Sequence, residues 1–399
     1  MILSGIRVID AGSFIAGPAA ATVMGDFGAE VIKLEPPDGD PYRKLHRAPG
    51  NPESDQDYCW MVESRNKKGL ALDLKNPAAQ AVLRRLVESA DVFLTNLPMD
   101  VRRRLSIRYE DLAPLNDRLI YASLTAYGEK GAEAGKTGFD STAWWARSGL
   151  MDNVRSSPDA PPARSLPGMG DHATAMSLFG AIMLALYRRT QTGKGGEVST
   201  SLMANGVWSN AMLAQAMLCG APFRLRPPRE NALNALNNLY RCRDDRWFMM
   251  AIVSEERQWP GFVRALGRPD IAEDPRFATL AARHENAAAL VAVLDEIFLQ
   301  HDWAEWRERL DANGVTFGGI SKLEDLPVDR QMRDAGVLLP LAPEAGSGLT
   351  IDSPVLVSDE EKRAPGPAPR IGEHNDEILR DAGFSPEEIA ALRRSGALV

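Results

Sequence analysis

Cysteine is scarce. Cys59, Cys219 and Cys242 are the only three in 399 residues; without CxxC spacing they give no sign of a disulfide framework or a zinc knuckle, and a reducing, cytoplasmic setting is expected. The five histidines (His46, His172, His284, His301 and His374) form no HxH or HxxxH pair, so no metal site is expected. No run of about 18 apolar residues suggests a membrane span. The opening MILSGIRVIDAGSF lacks a basic stretch followed by an apolar core, so no secretory leader is expected. Positive charge is not in surplus: the formal net charge is -8, which argues against a nucleic-acid binder, although a local basic patch can still hold a phosphorylated small molecule. Neither GxGxxG nor GxxxxGK[ST] occurs; Gly193-Lys194-Gly195-Gly196 is only half a phosphate loop and reads as a turn.

What is present is the composition of an ordinary globular protein, 44% hydrophobic and 25% charged, in a chain long enough to bury a substantial core. The first forty residues read as β-α-β: Ile6–Asp10 as strand, a small-residue helix opened by Ala16-Gly17-Pro18, then Glu30–Leu34 as strand. Proline suits a first helical turn, and such a turn can present backbone N–H groups to an anion or a carbonyl; a plain tight turn explains it equally. Pro36–Asp57 reads as a long loop. Strands at Leu70–Leu74 and Asp91–Leu94 with a helix over Pro77–Ala90 between them, and Asp111–Leu115 and Leu119–Thr125 continuing the alternation, point to an α/β fold with a parallel sheet flanked by helices. A strongly apolar helix over Ala173–Arg189, a strand over Glu197–Leu202 and a helix over Ala204–Leu218 follow. Beyond a linker at Pro222–Glu230, a hairpin over Tyr240–Ser254 turning at Asp244-Asp245 and helices at Trp259–Leu266, Ala287–Leu299 and Trp303–Asn313 suggest a smaller α+β domain over 225–325. Residues 1–220 and the return of 330–399, ending in helices at Asn375–Ala382 and Pro386–Ser395, make up the rest.

Two aspartates stand out. Asp171, in Pro167-Gly168-Met169-Gly170-Asp171, directly precedes the apolar helix. It reads as an N-cap, or as a carboxylate kept ionised by the helix dipole, exposed by its glycines and able to attack an activated carbonyl. Asp140, in Gly138-Phe139-Asp140, reads as the cap of the helix STAWWARSG, whose Trp144 and Trp145 read as core or interface. Lys67, Lys68, Lys75 and Arg102-Arg103-Arg104 form two basic clusters, either a solvated face or a place for phosphates.

Four ordered stretches carry more. LSGIRVIDAGSFIAGPAAATVMGDFGAEVIKLEPPDGDPYR, Asn66-Lys67-Lys68 with Leu72-Asp73-Leu74-Lys75 and Ala90-Asp91-Val92 to Asn96, the segment GDHATAMSLFGAIMLALYRRTQTGKGGEVSTSLM, and Pro369–Val399 with Gly372-Glu373-His374 together resemble the family III CoA-transferases, the CaiB/BaiF family, over nearly the whole chain. The resemblance implies a Rossmann-like large domain built from both chain ends, a smaller α+β domain from the middle, and two chains interlocked as rings in a homodimer. It implies an acyl-CoA and a small carboxylic acid as substrates, no tightly bound cofactor, and Asp171 as the nucleophile of an aspartyl-anhydride and aspartyl-CoA pathway. Coenzyme A would meet Ala16, Gly17, Leu72, Lys75, Asn96, Arg104 and Asp140, with backbone donors near Ala16-Gly17 at the reacting carbonyl. Asn96-Leu97-Pro98-Met99-Asp100 departs from the family's Asn-Phe-x-Pro-Gly, and Ser106 stands where Gly is common.

The α-methylacyl-CoA racemases look similar but carry His immediately before the aspartate that matches Asp140; here that residue is Phe139, which carries no proton, leaving His172 as the base such a reading would need. The formate/oxalate transferases carry Gln where Ile15 stands. Gly138–Gly149 looks similar to transferases acting on 2-hydroxy acids such as phenyllactate. A non-catalytic CoA-binding homologue would have no need of the exposed carboxylate. A dehydrogenase holding NAD at Glu35, the end of the second strand, lacks its glycine fingerprint.

Overall fold

Val8, Ile9 and Asp10 are fully buried because the strand they form, β1 (Arg7–Asp10), lies inside a sheet. The computed structural model describes residues 1–346 and 348–399. In it β1 is joined by β2 (Glu30–Glu35), β3 (Lys68–Ala71), β4 (Val92–Thr95), β5 (Ile120–Thr125) and β6 (Gly196–Ser201), all parallel, in the order β3-β2-β1-β4-β5-β6. β4 and β5 are buried along their whole length, which is why they read as unbroken apolar runs rather than alternating ones. The order reverses between β1 and β4, and in open parallel sheets the crevice outside the carboxyl ends at such a reversal is where ligands bind.

The first helices are α1 (Ala16–Asp26), α2 (Tyr58–Ser64), α3 (Pro77–Glu88), α4 (Met99–Arg104), α5 (Tyr109–Leu112), α6 (Leu150–Asn153), α7 (Met169–Thr192), α8 (Leu202–Ser209) and α9 (Ala211–Leu218). Val82, Leu83, Leu86 and Val87 of α3 form one core with Ile9, Phe93 and Tyr121 of the sheet and with Ile378, Leu379 and Leu392 of the closing helices, Asn375–Asp381 and Pro386–Arg394. α1 and α7 pack together, and α7 also lies along β5 and β6. By length and composition alone α7 is apolar enough to cross a membrane, with a mean hydropathy of 1.3, against the expectation that no segment would be. Here it covers a sheet, and its Arg189 pairs with Asp91 at 2.8 Å.

The chain divides into two compact units: residues 1–150, 164–215 and 330–399 form the first, and 151–163 with 216–329 the second. In the first, the C-terminus is stitched to the edge of the sheet by Asn375, whose Oδ1 accepts from the Ala71 N–H at 2.9 Å and whose Nδ2 donates to the Val399 carbonyl at 2.7 Å. The second is α+β. β7 (Leu239–Arg241), β8 (Trp247–Met250) and β9 (Phe317–Gly319) are antiparallel, and the first hairpin turns through Asp245 at a left-handed φ of 58°. Phe248, Phe262, Phe298 and Trp306 fill its core.

Several expected elements shift. The strand expected at Leu70–Leu74 runs over Lys68–Ala71; Leu72 instead bridges to Leu398. Asp111–Leu115 continues the alternation as helical turns, since Asp111 accepts from the Arg108 N–H at 3.0 Å. The helix expected over Ala204–Leu218 breaks at Asn210, whose Nδ2 donates to the Ser148 carbonyl. The long loop after β2 contains a 3₁₀ segment, Pro41–Arg47, whose Tyr42 N–H is capped by Asp40. Asp140–Ala146 is a wide π-type turn rather than an α-helix.

Candidate active site

The loop between β1 and α1 is held from below by charges that the sheet buries. Asp10, at the end of β1, accepts from Lys67 Nζ at 2.9 Å and from the Gly12 N–H at 3.0 Å. Lys67 also donates to the Pro18 carbonyl in α1, and Lys33 of β2 donates to Asp40 at 3.0 Å. Burial opposes every one of these charges. Lys67 and Lys33 nevertheless hold Asp10 below the usual carboxylate range, and Asp10 and Asp40 hold Lys33 above its own, whereas burial wins at Lys67 and lowers it. Asp40 then accepts from the Ser13 hydroxyl and the Phe14 N–H. Asn96, directly after β4, clamps Ser13 by accepting from its N–H at 2.7 Å and donating to its carbonyl at 2.8 Å. The loop can therefore hold Phe14 at a φ of 59°, a conformation that costs a bulky residue energy and persists only where its surroundings enforce it. No group among the described residues accepts from the N–H groups of Ile15, Ala16 and Gly17, and Pro18 has none. The first turn of α1 thus offers free donors beside the reversal in strand order.

α7 begins against this turn. Its N-cap is Gly168, left-handed at a φ of 76°, not Asp171; a Cβ on Gly168 would lie 3.1 Å from Ile15 Cδ1 and 3.2 Å from His172 Nδ1. Gly170 sits so close to Trp144 that a Cβ there would approach the indole to 2.6 Å. The cap expected of Asp171 is supplied by Asp140, whose Oδ2 accepts from the Gly170 N–H at 3.2 Å. Asp140 therefore serves both elements, since its Oδ1 accepts from the Ser141 N–H of its own turn at 2.6 Å, where Phe139 holds the cap position. Asp171, freed from capping, stands in the first turn and lines a cleft of about 220 Å³. The expectation that the helix dipole keeps it ionised is also overturned. Burial first, and then the Asp140 charge, push its pKa up to about 7, with His172 pulling the other way; at this position desolvation outweighs a partial charge.

The cleft holds Ser13, Phe14, Ile15, Ala16, Asn96, Lys136, Phe139 and Leu202 together with Asp171, the one carboxylate in its lining. Of the residues singled out for coenzyme A, Ala16 and Asn96 are here, although the Asn96 amide is committed to Ser13. Asp140 lies behind the wall, 7% exposed, and Gly17 is buried one residue beyond Ala16. Leu72 and Lys75 line a second crevice of about 420 Å³ at the carboxyl ends of β1 to β3, which shares Ser13 and Leu97 with the first. Arg104 is exposed at the end of α4 and belongs to neither lining.

The two basic clusters come apart. Lys67 is buried on Asp10, Lys68 pairs with Glu30 and Glu377, and Arg102 is buried on Glu129 and the Leu97 carbonyl. Glu35 is equally committed, gripped by two nitrogens of Arg43 and accepting from the Asp40 N–H, and its burial closes it to a ribose. Glu63 escaped attention in the sequence because its partner is 109 residues away: it is 2% exposed and accepts from, or shares a proton with, His172 Nε2 at 2.7 Å.

The family model for CoA-transferase family III matches residues 3–375. The chain belongs to CoA-transferase family III. Like its relatives, this transferase is an enzyme acting on CoA thioesters. It is 32% identical over 397 residues to the (R)-2-hydroxy-4-methylpentanoate CoA-transferase of Clostridioides difficile, covering 99% of both chains. It is 29% identical to the cinnamoyl-CoA:phenyllactate CoA-transferase of Clostridium sporogenes, covering 98% of this chain and 96% of that one. Among solved structures, a CaiB/BaiF family protein from Brucella suis superposes with a TM-score of 0.84 at 27% identity, over 95% of this chain and 99% of the other. The resemblance read from the four sequence stretches is thereby established.

Proposed function

We propose that the transferase moves coenzyme A from an acyl-CoA to a free carboxylic acid with Asp171 as the covalent nucleophile. The observation that carries this reading is that Asp171 is, among the described residues, the single carboxylate lining a cleft that is also lined by Ile15 and Ala16 at the start of α1, whose amides have no acceptor there. An Asp171 oxygen attacks the thioester carbonyl, the C–S bond breaks, and CoA leaves as thiolate from a mixed anhydride. The thiolate attacks the aspartyl carbonyl, releasing the donor acid and leaving an aspartyl-CoA thioester. The acceptor carboxylate attacks that carbonyl and expels the thiolate, which finally attacks the acceptor's carbonyl and frees Asp171. Each step passes through an oxyanion, for which the amides of Ile15 and Ala16 in the cleft lining would be preorganised donors.

Phe14, Ile15, Leu97, Met99, Phe139 and Leu202 give the cleft an apolar lining, which favours an acid with a hydrocarbon or aromatic substituent. The names of the two relatives above support a 2-hydroxy acid of that kind. The nucleotide end of CoA would lie in the second crevice over Leu72 and Lys75, with Arg104 nearby for phosphate. In this reading residues 1–220 and 330–399 form the CoA-binding large domain and 225–325 the small one, and the enzyme works in the cytoplasm as a homodimer of interlocked rings. The dimer is supported by exposed apolar side chains on three successive helices, Leu184, Tyr187, Trp208 and Met212, more than a solitary surface normally shows. A racemase reading needs a neutral base at His172, and the pairing of both its ring nitrogens speaks against one. Incubation with a panel of acyl-CoAs followed by hydroxylamine tests the proposal. A hydroxamate on Asp171, absent from Asp171→Ala, is expected. Proton exchange α to the thioester carbonyl in deuterated water without any adduct would replace the transferase reading with the racemase one.

A further inference from the structure

His172 is the residue after the nucleophile, and both of its ring nitrogens face acceptors: Nδ1 meets the Gly168 carbonyl at 2.8 Å, and Nε2 meets Glu63 at 2.7 Å. A carbonyl never donates, so Nδ1 carries a proton, and the hydrogen bond of Nε2 to Glu63 favours a second one there, which makes the ring an imidazolium. Glu63 reaches it from α2, a different element, and that element is fastened to α1 because the Thr22 hydroxyl donates to the Glu63 carbonyl at 2.6 Å. The ring therefore ties three things together: the left-handed cap of α7, the residue beside the nucleophile, and the helix whose first turn faces it.

We propose that His172 and Glu63 form a positioning pair for Asp171, holding a fixed positive charge next to the nucleophile and locking the turn that aims it. Neither residue lines the cleft that Asp171 enters; both face a separate cavity of about 550 Å³, so toward that cleft the pair acts through Asp171. This rests on Asp171 being the nucleophile. The need for such a pair is plain from the surroundings: Asp140, from the turn behind, opposes ionisation of Asp171, and Glu63 does so more weakly. Other ionisable groups nearby are Tyr42, hydrogen-bonded to Cys59, and Arg65, which is committed to Asp26. Lys136 shares the cleft lining, and the cation at His172 is the charge that acts to lower the Asp171 pKa. It is stable at neutral pH because the hydrogen bond to Glu63 raises the His172 pKa to about 9.

The signs can be followed through each variant. His172→Gln keeps a side chain able to donate to Glu63 but removes the positive charge, so Asp171 becomes harder to ionise and the acid limb of kcat/KM moves to higher pH. The ring is about half exposed, 52%, and solvent screens it, so a shift of roughly half to one pH unit is expected rather than the larger shift of a dry pair. Glu63→Gln removes one negative charge near Asp171 and lets His172 lose its proton near neutrality. The second effect outweighs the first because His172 acts more strongly on Asp171 than Glu63 does; the limb moves the same way by a smaller amount.

The test is the pH profile of kcat/KM for wild type, His172→Gln, His172→Lys and Glu63→Gln, with thermal melting as the folding control. The expected result is an upward shift in both neutral variants, larger in His172→Gln, with KM for the acyl-CoA changed less than kcat, and partial return of the limb in His172→Lys. Folded variants with lower activity but an unmoved limb would overturn the proposal, since a purely structural role predicts that. Trapping of the acyl group on Asp171 in wild type is measured alongside. If wild type traps and the limb stays put, the pair is wrong and the nucleophile stands; if wild type fails to trap, the nucleophile itself is wrong.

Discussion

Asp171 makes the folded protein less stable than an amide would in its place. Its carboxyl, ordinarily near 3.8, is pushed up to about 7 by burial and by Asp140. Below the unfolded value both states are protonated and the residue is neutral toward folding. Between the two values the unfolded chain carries the charge and the folded one does not, so stability falls as pH rises; above the folded value the penalty is constant. At about 1.4 kcal/mol per pH unit the full gap comes to about 4 kcal/mol. Solvent reaches this half-buried side chain, which reduces the figure to roughly 2 kcal/mol. Asp171→Asn mimics the protonated acid and escapes the penalty. For a unit of this size each kcal/mol moves Tm by roughly 2 °C, so the variant should melt about 4 °C above wild type at pH 8 and within about 1 °C of it at pH 4. The assay is thermal unfolding of both proteins at several pH values without ligand. A Tm difference independent of pH would refute the reasoning, and a variant less stable at pH 8 would reverse it.

Three further outcomes follow from the same geometry. Attack requires the carboxylate, so wild-type kcat/KM should fall about tenfold per pH unit below about pH 7 and level off above it; a profile flat down to pH 5 would remove the raised pKa from the account. Gly170→Ala places a Cβ within 2.6 Å of Trp144, which should cost about 1–3 kcal/mol of stability and, by displacing Asp171, lower kcat by roughly a hundredfold; the melting curve and the steady-state rate read the two effects separately. Lys67→Met removes the ion-pair partner of Asp10 at a fully buried site, leaving it the Gly12 N–H and the Lys33 charge, and should cost about 3 kcal/mol, most of it recovered in the double variant with Asp10→Asn, as urea midpoints would show.

What the sequence revealed and what it hid divide by distance along the chain. The β-α-β opening, the apolar helix that became α7 and the hairpin turning at Asp244-Asp245 depend on local periodicity and turn residues, and each is where the residues put it to within a few positions. The glycines around Asp171 could be read for the same reason. Whether a charge is free could not. Lys67 and Arg102 looked like a basic face until the fold supplied Asp10, 57 positions away, and Glu129, 27 positions away. The capping of α7 followed the same rule: a cap was visible in the sequence, but Asp140, 30 residues earlier, supplies it, and this moves Asp171 from cap to cleft. The pKa of Asp171 was misjudged because the dipole is a local property, whereas burial and the Asp140 charge exist only after folding. Glu63 gave no signal at all, since nothing near it in the chain marks a partner for His172.

The central claim is that the acyl group passes through Asp171, and the fate of the carboxylate oxygens tests it most directly. When an acceptor acid labelled with oxygen-18 in its carboxylate is converted to its CoA thioester, one labelled oxygen stays on the acceptor as the anhydride resolves and the other is left on the nucleophile. After a single turnover the peptide containing Asp171 should be heavier by one oxygen exchange, and by up to two after many turnovers, with fragmentation placing the label on that side chain. An unlabelled Asp171 after complete conversion, with both heavy oxygens accounted for elsewhere, would contradict the account.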